Sequence, residues 1–373
     1  VTDTDPVDIR HMHHALRLAV RGLGTVAPNP AVGCVIVAKD GHIAGRGWTQ
    51  KGGRPHAEAV ALAQAGPEAR GGTVYVTLEP CAHHGQTPPC ADALVEARIA
   101  RVVAAVTDPD PRVNGNGLAI LRDAGTEVVL GVCKAEAAAL NAGFFLKVRE
   151  NRPLVTLKIA TSLDGKIAAA DGSSRWITGK IARRFGHLLR AEADAILVGS
   201  GTVLADDPML TCRLPGLEGR SPLRVVLDSR LQLDTASKLA QSAKKVPVLL
   251  FTAVEDTGER GAWLEARGVE IVRLRRDARG RPDLALVLAE LAKRGITRLL
   301  VEGGAGVHAS FLDRGVADRI ALFRTGLVLG GGGRDGIDAL AALSLDEAPR
   351  FRLAGRLVLG PDVLEQYVEN TEE

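Results

Sequence analysis

The sequence is short of the features that would send a chain out of a reducing compartment or into a bilayer. Its five cysteines (Cys34, Cys81, Cys90, Cys133, Cys212) are odd in number and scattered over 373 residues, which makes no disulfide framework. No apolar run approaches a membrane span, and residues 1–25 carry Asp3, Asp5, Asp8, Arg10 and Arg17, leaving no apolar signal-peptide core. Neither charge sign dominates: Lys and Arg number 47 against 44 Asp and Glu, so no basic field advertises nucleic acid or an anionic membrane. There is no internal repeat, and Gly330-Gly331-Gly332-Gly333 lacks the Lys-Ser/Thr of a P-loop and is expected to be a turn. These absences predict a cytoplasmic protein that handles small charged molecules, with neither nucleic acid nor membrane as partner. They leave assembly into a homo-oligomer open.

What is present is a globular composition, 46% hydrophobic and 24% charged, in a chain long enough for two cores. A helical apolar stripe over 8–24, opened by Asp8, is followed by a Pro28-Asn29-Pro30 break, a β-branched run at 32–38 and a turn at Lys39-Asp40-Gly41-His42, which predicts a hairpin. Helices and strands then alternate (helix to 65, strand 73–78, helix from 90, strand 101–106, helix 118–124, strand 127–130), an α/β sandwich pattern. The polar stretch 141–153 is read as an interruption, dividing the chain into domains 1–147 and 148–373. A second α/β run follows, with strands at 154–160, 195–198, 223–227, 246–251, 269–274 and 298–301 and a helix at 180–192.

The strongest chemical signal is His56-Ala57-Glu58 followed by Pro80-Cys81 and Cys90. One imidazole and two thiolates make a three-ligand zinc site whose fourth position stays open for water, the pattern of catalytic zinc. Zinc lowers the pKa of a bound water from about 15.7 to about 7, and a carboxylate must still move protons. In zinc deaminases that carboxylate is a glutamate two residues after the ligand histidine, the place Glu58 holds. Cys90, after Pro88-Pro89, is expected to open a helix, where the dipole favours thiolate. The competing readings are a structural zinc, with His83 or His84 as fourth ligand, in a nucleotide-binding or regulatory module, and a deaminase of nucleic-acid bases, which would need a basic strand-binding surface.

Eight residues separate Cys81 from Cys90, against the two of the usual deaminase P-C-x-x-C. With 29-NPAVGCVIV-37, His56-Ala57-Glu58 and Thr77-Leu78-Glu79-Pro80-Cys81, this spacing resembles the bifunctional riboflavin-biosynthesis deaminase-reductase family. So do 157-LKIATSLDGK-166, Trp176-Ile177-Thr178, 206-DDPMLTCR-213 and Val301-Glu302-Gly303-Gly304. The resemblance implies a cytidine-deaminase-like three-layer α/β/α sandwich followed by a dihydrofolate-reductase-like α/β domain. The first would use Zn2+ to deaminate a 2,5-diamino-6-ribosylamino-pyrimidinone 5′-phosphate, and the second NADPH to reduce ribosyl to ribityl.

The same resemblance implies cofactor contacts at Thr161, Trp176, Thr202, Asp206, Ser229, Gly304, Ala305, Gly306, Val307, His308, Ala309 and Ser310. Substrate contacts would fall at Ser174, Arg190, Leu210, Arg213 and Glu302. Independently of it, Gly199-Ser200-Gly201-Thr202 and Gly303-Gly304-Ala305-Gly306 each follow a predicted strand, where backbone N–H groups can face phosphate. Trp176 has the alternative of a core aromatic, and Asp206 that of a cap. Three positions depart from the family pattern: Thr49 where His is frequent, Gln86 where Lys or Arg is frequent, and Asp110 where Asn is frequent.

Overall fold

The structure, a computed structural model, describes residues 5–83, 88–342 and 344–370. It divides into two compact units, Val1–Arg152 and Pro153–Glu373.

The first unit opens with α1 (Pro6–Ala19), capped by Asp5, whose carboxylate accepts from Val7 N at 2.8 Å, with Pro6 in the first turn. The cap is therefore Asp5 and not the expected Asp8. Asp8 lies one turn inside, buried, with both oxygens held by Arg101 at 2.8 Å and one by Tyr75 OH at 2.9 Å. Then come β1 (Gly33–Val37), β2 (Ile43–Trp48), α2 (Ala57–Ala65), β3 (Thr73–Val76), α3 (Cys90–Glu96), β4 (Arg101–Ala104), α4 (Asn116–Asp123), β5 (Glu127–Leu130), α5 (Lys134–Leu140) and α6 (Ala142–Glu150).

The sheet order is β2-β1-β3-β4-β5, with β1 antiparallel to both neighbours and β3, β4 and β5 parallel. Glycines let helices close on both faces of the hairpin. A Cβ on Gly33 would sit 1.9 Å from Ala15 O of α1, and one on Gly47 2.0 Å from Ala57 O of α2. Side chains alternate across a strand, and Gly47 faces Cys34, the residue after Gly33, so α1 and α2 lie on opposite sides.

The stretch 141–153 is not the linker its polarity suggested. The Asn141 side chain accepts from Ala31 N at 2.9 Å and donates to Ala31 O at 3.0 Å, and Phe145 packs into the core. The helix that carries Phe145, α6, runs on to Glu150, and the first unit ends after it, at Arg152.

The second unit runs β6 (Leu154–Thr161), β7 (Lys166–Ala168), α7 (Lys180–Glu192), β8 (Ala195–Gly199), α8 (Ser200–Asp206), β9 (Leu223–Leu227), α9 (Lys238–Gln241), β10 (Val248–Thr252), α10 (Gly258–Ala266), β11 (Val269–Arg273), α11 (Leu284–Lys293), β12 (Arg298–Val301), α12 (Ala305–Asp313), β13 (Arg319–Thr325), β14 (Arg334–Asp335), β15 (Phe351–Leu359) and β16 (Asp362–Glu369). Its main sheet has the order β11-β10-β9-β8-β12-β6-β13-β16-β15, parallel through β13 and antiparallel beyond, and β7 pairs with β14 apart from it. Along β8 the side chains alternate between two cores: Ala195 and Leu197 pack with Phe251 and Phe311, Ile196 and Val198 with Leu250 and Leu264. Burial on both faces explains the unbroken apolar runs of these strands.

The chain builds the sheet outward from β8 to β11, then returns to place β12 between β8 and β6. Ligands of open α/β sheets bind at the carboxyl ends of strands beside such a reversal.

Candidate functional site

In the first unit three segments converge. His56 holds an extended backbone at the N-cap of α2, which puts Glu58 in that helix's first turn. Cys81 ends the segment after β3, and Cys90 is the first residue of α3. His56 Nδ1 lies 3.6 Å from Cys81 Sγ and 3.4 Å from Cys90 Sγ. Tetrahedral bonds of ~2.3 Å to sulfur and ~2.0 Å to nitrogen would hold N and S about 3.5 Å apart, so the donor set fits zinc without rearrangement. Among the described residues His83 does not join this donor group; His84 lies outside them.

The electrostatics favour one thiolate, at Cys81, and without a metal they oppose the thiolate expected of Cys90 at its helix start. Cys90 N donates to Cys81 Sγ at 3.3 Å. The Cys81 thiol is lowered to about 4 by the hydrogen bond from the Cys90 thiol, aided by His56, while Cys90, as the donor, is pushed up. Glu58 is only 4% exposed, and burial pushes its carboxyl up to about 7 against the pull of His56. A dication beside it would draw that value down.

Glu58, His56 and Cys81 open onto a cavity of ≈ 90 Å³, lined also by Asn29, Arg54, Asp108 and Arg112. Two of the three departing positions are here. Thr49 accepts from Val32 N at 3.0 Å through Oγ1, and the Asp110 carboxylate is held by Arg112 Nε at 2.9 Å. Gln86 lies outside the described residues. Motif reading quoted Glu79 without giving it a role. Its buried carboxylate accepts backbone N–H groups of Asp108, Gly115, Gly117 and Leu118 at 2.9–3.3 Å, tying one wall of the cavity to the strand end that carries Cys81.

In the second unit a cavity of ≈ 790 Å³ opens at the carboxyl ends of β8, β9 and β12. It gathers Thr202, Asp206, Ser229, Gly304, Ala305, Gly306, Val307 and Ser310 from the expected cofactor set, and Ser174 from the expected substrate set. His308 and Ala309, each 2% exposed, turn away from it into the unit's interior, because successive residues of a helix face different sides. His308 Nδ1 lies 3.0 Å from Gly336 O. Thr161 is buried at the end of β6. Trp176 is no core aromatic: it is 68% exposed, with the Arg183 guanidinium 4.3 Å from its ring centre. Asp206 ends α8, and its carbonyl accepts from Arg175 Nη2 at 2.8 Å.

The other expected substrate residues form a separate group. Arg190 on α7 makes a bidentate pair with Glu302 at 2.7 and 2.9 Å. Burial would raise the Glu302 carboxyl, but Arg190 and Lys158 bring it down to about 2. Lys158 Nζ is 3.9 Å from Glu302, and the residue faces this group from β6 with no role foreseen in the motif. Burial lowers His187 to about 4, so it is neutral and accepts from Arg213 N at 3.4 Å. Arg213 is exposed. Leu210 is core, 3% exposed at φ 52°, so only its backbone is offered to a ligand.

Comparison with known proteins agrees with this division. Residues 6–106 match the cytidine and deoxycytidylate deaminase zinc-binding region and residues 153–364 the RibD C-terminal domain. The riboflavin biosynthesis protein RibD of Aquifex aeolicus is 42% identical over 96% of this chain and 97% of its own length. The RibD protein of Escherichia coli is 42% identical over 95% and 98%. Among solved structures, RibD of Acinetobacter baumannii superposes with a TM-score of 0.86 at 38% identity, covering 98% of this chain and 99% of that one. A diaminohydroxyphosphoribosylaminopyrimidine deaminase/5-amino-6-(5-phosphoribosylamino)uracil reductase of Thermotoga maritima also gives 0.86 at 38%, covering 97% and 99%.

Proposed function

Since the chain belongs to the RibD family, and is a bifunctional zinc-dependent deaminase and NADPH-dependent reductase of riboflavin biosynthesis, we propose residue roles and substrates for its two sites. The first takes 2,5-diamino-6-ribosylamino-4(3H)-pyrimidinone 5′-phosphate and releases ammonia. The second reduces the ribosyl chain of the product, giving 5-amino-6-ribitylamino-uracil 5′-phosphate.

His56, Cys81 and Cys90 hold the metal. Bound zinc supplies a Lewis acid and lowers the pKa of water. Glu58 takes the proton from the water that attacks the amino-bearing ring carbon and returns it to the departing amine. One buried carboxylate in reach of both the water and the leaving amine serves both steps, accepting the proton in the first and donating it in the second. The observation that carries this reading is the pair of Nδ1–Sγ distances, 3.4 and 3.6 Å, beside a buried glutamate with no lysine or arginine among the causes of its shift.

In the second unit, Gly304–Val307 and Gly199–Thr202 cradle the cofactor's phosphates, and Thr161, Trp176, Asp206, Ser229 and Ser310 border the rest of it. Arg190, Glu302, Arg213, Ser174 and the Leu210 backbone take the substrate. Small phosphorylated pyrimidines are the expected partners, and no nucleic acid. The five free thiols suit a cytoplasmic location. Exposed Leu353, Leu357 and Val358 on the edge strand β15 suit a homo-oligomer, which sedimentation would test.

The full chain, given the diamino-pyrimidine nucleotide, should release ammonia without NADPH and oxidise NADPH only afterwards. Zinc-loaded protein that releases no ammonia would overturn the substrate assignment.

A further inference from the structure

The large cavity of the second unit has a charged wall that its glycine turns do not explain. Arg281 Nη1 donates to Ser310 Oγ at 2.8 Å, and its Nη2 and Nε lie 3.3 and 3.4 Å from Asp277 Oδ2. Arg314 Nη2 reaches the same oxygen at 3.7 Å, and its Nη1 lies 3.8 Å from Asp283 Oδ1. The other Asp277 oxygen accepts the N–H groups of Arg279 and Arg281 at 2.9 and 2.8 Å. One fixed carboxylate thus brackets two guanidiniums.

Exposure decides which charge a ligand meets. The Asp277 side chain is 7% exposed, those of Arg281 and Arg314 36% and 43%, and all three residues line the cavity. Among the described residues, the cavity's other charged lining residues are Asp206, Asp335, Asp338 and Arg334, and within this wall the lone lining carboxylate, Asp277, is covered while its two guanidiniums are exposed. The wall presents positive charge, with donors in the planar forks that match phosphate oxygens.

Its position relative to the glycine cradle narrows the ligand. The N-terminus of α12 at Gly304 offers backbone N–H groups to a diphosphate. Ser310, which orients Arg281, lies six residues further along, about 9 Å down the helix axis. The wall therefore meets a second anionic group, set off from the diphosphate by roughly one ribose. A phosphomonoester carries about −1.5 to −2 charge at neutral pH, whereas a ribose hydroxyl carries none.

We propose that Arg281 and Arg314 form the subsite for the phosphomonoester on the adenosine ribose of the dinucleotide, and so set the preference for NADPH over NADH. The proposal rests on reading this cavity as the cofactor site, and its test separates the two. Adenosine 2′,5′-bisphosphate and 5′-AMP share adenosine and one phosphate and differ only in the group at issue.

Titration calorimetry of the full chain should find the bisphosphate binding at least about tenfold tighter than 5′-AMP, as expected of charge-assisted hydrogen bonds. In the Arg281→Gln/Arg314→Gln double variant that advantage should collapse to less than about threefold, with 5′-AMP affinity unchanged, which also reports an intact cavity. An advantage that survives in the double variant, with both ligands still binding, overturns the subsite alone. Wild-type protein that binds neither nucleotide overturns the cavity assignment and the subsite with it.

Discussion

Each unit buries a glutamate in its candidate site, and the two are driven in opposite directions. Glu58 is raised to about 7 because burial outweighs the pull of His56, itself titratable. Glu302 meets burial too, but Arg190 and Lys158 bring it down to about 2. A buried carboxyl without a permanent cation becomes a proton carrier near neutral pH, and one with a guanidinium becomes a fixed charge. The same residue type is thus suited to proton transfer in one unit and to positioning in the other.

The sharpest way to break this contrast is Glu58→Gln. Ammonia release should fall about 10²–10⁴-fold with zinc content by metal analysis unchanged, while NADPH oxidation with deaminated substrate is preserved. Survival of ammonia release would mean that another group carries the proton.

Glu302→Gln acts in the opposite sense, leaving Arg190 buried without its counter-charge. A loss of about 3 kcal/mol of stability is expected in urea unfolding of the second unit, with reduction lost and deamination kept. A stable variant that still reduces substrate would mean that the pair neither holds the fold nor positions the substrate.

The pH dependences should also oppose each other. Because the folded pKa of Glu58 is raised, its contribution to the zinc-free protein is present below the unfolded value of 4.5 and is lost as pH climbs to about 7. Zinc-free Glu58→Gln should therefore exceed zinc-free wild type at pH 8 by on the order of 2–3 kcal/mol. Glu302 contributes above 4.5, and that contribution is lost as pH falls towards about 2. Thermal melts across pH 3–8 read both, and parallel profiles would refute the comparison.

The smallest expected effect is at exposed Arg213. Arg213→Ala should weaken reduction about tenfold, mostly through KM, and leave ammonia release untouched. Equal loss of both activities would mean that the two sites do not work independently.

The two sites were not equally legible. The metal site is dense in information: His56-Ala57-Glu58, Cys81 and Cys90 are chemically rare types at a demanding spacing, and few other chemistries use them together. The reductase cavity draws its wall from Asp277, Arg281 and Arg314, which share no motif with Gly304 or Ser229. A surface arginine and a cavity arginine look alike along a chain. Within 304–310 the resemblance marked a continuous run, yet helical rotation sends His308 and Ala309 to the interior and Ser310 to the cavity.

Elements were read well where periodicity was strong, as in the helix at 180–192 and the strand at 298–301. They were misplaced where a polar residue serves the interior: Asp8 looked like a cap and is an internal ion-pair partner, and the polarity around Asn141 looked like a linker.

What the amino-acid sequence by itself determined is the alternation of elements, the two-core division and the candidate set of His56, Cys81 and Cys90 with Glu58 beside it. Those depend on local period and on side-chain chemistry. Tertiary structure alone decided which carboxyl keeps its proton, which residues of a helix meet a ligand, and where the first unit ends. Burial and the distance to the nearest cation are properties of the packed chain, and residues far apart in sequence set both.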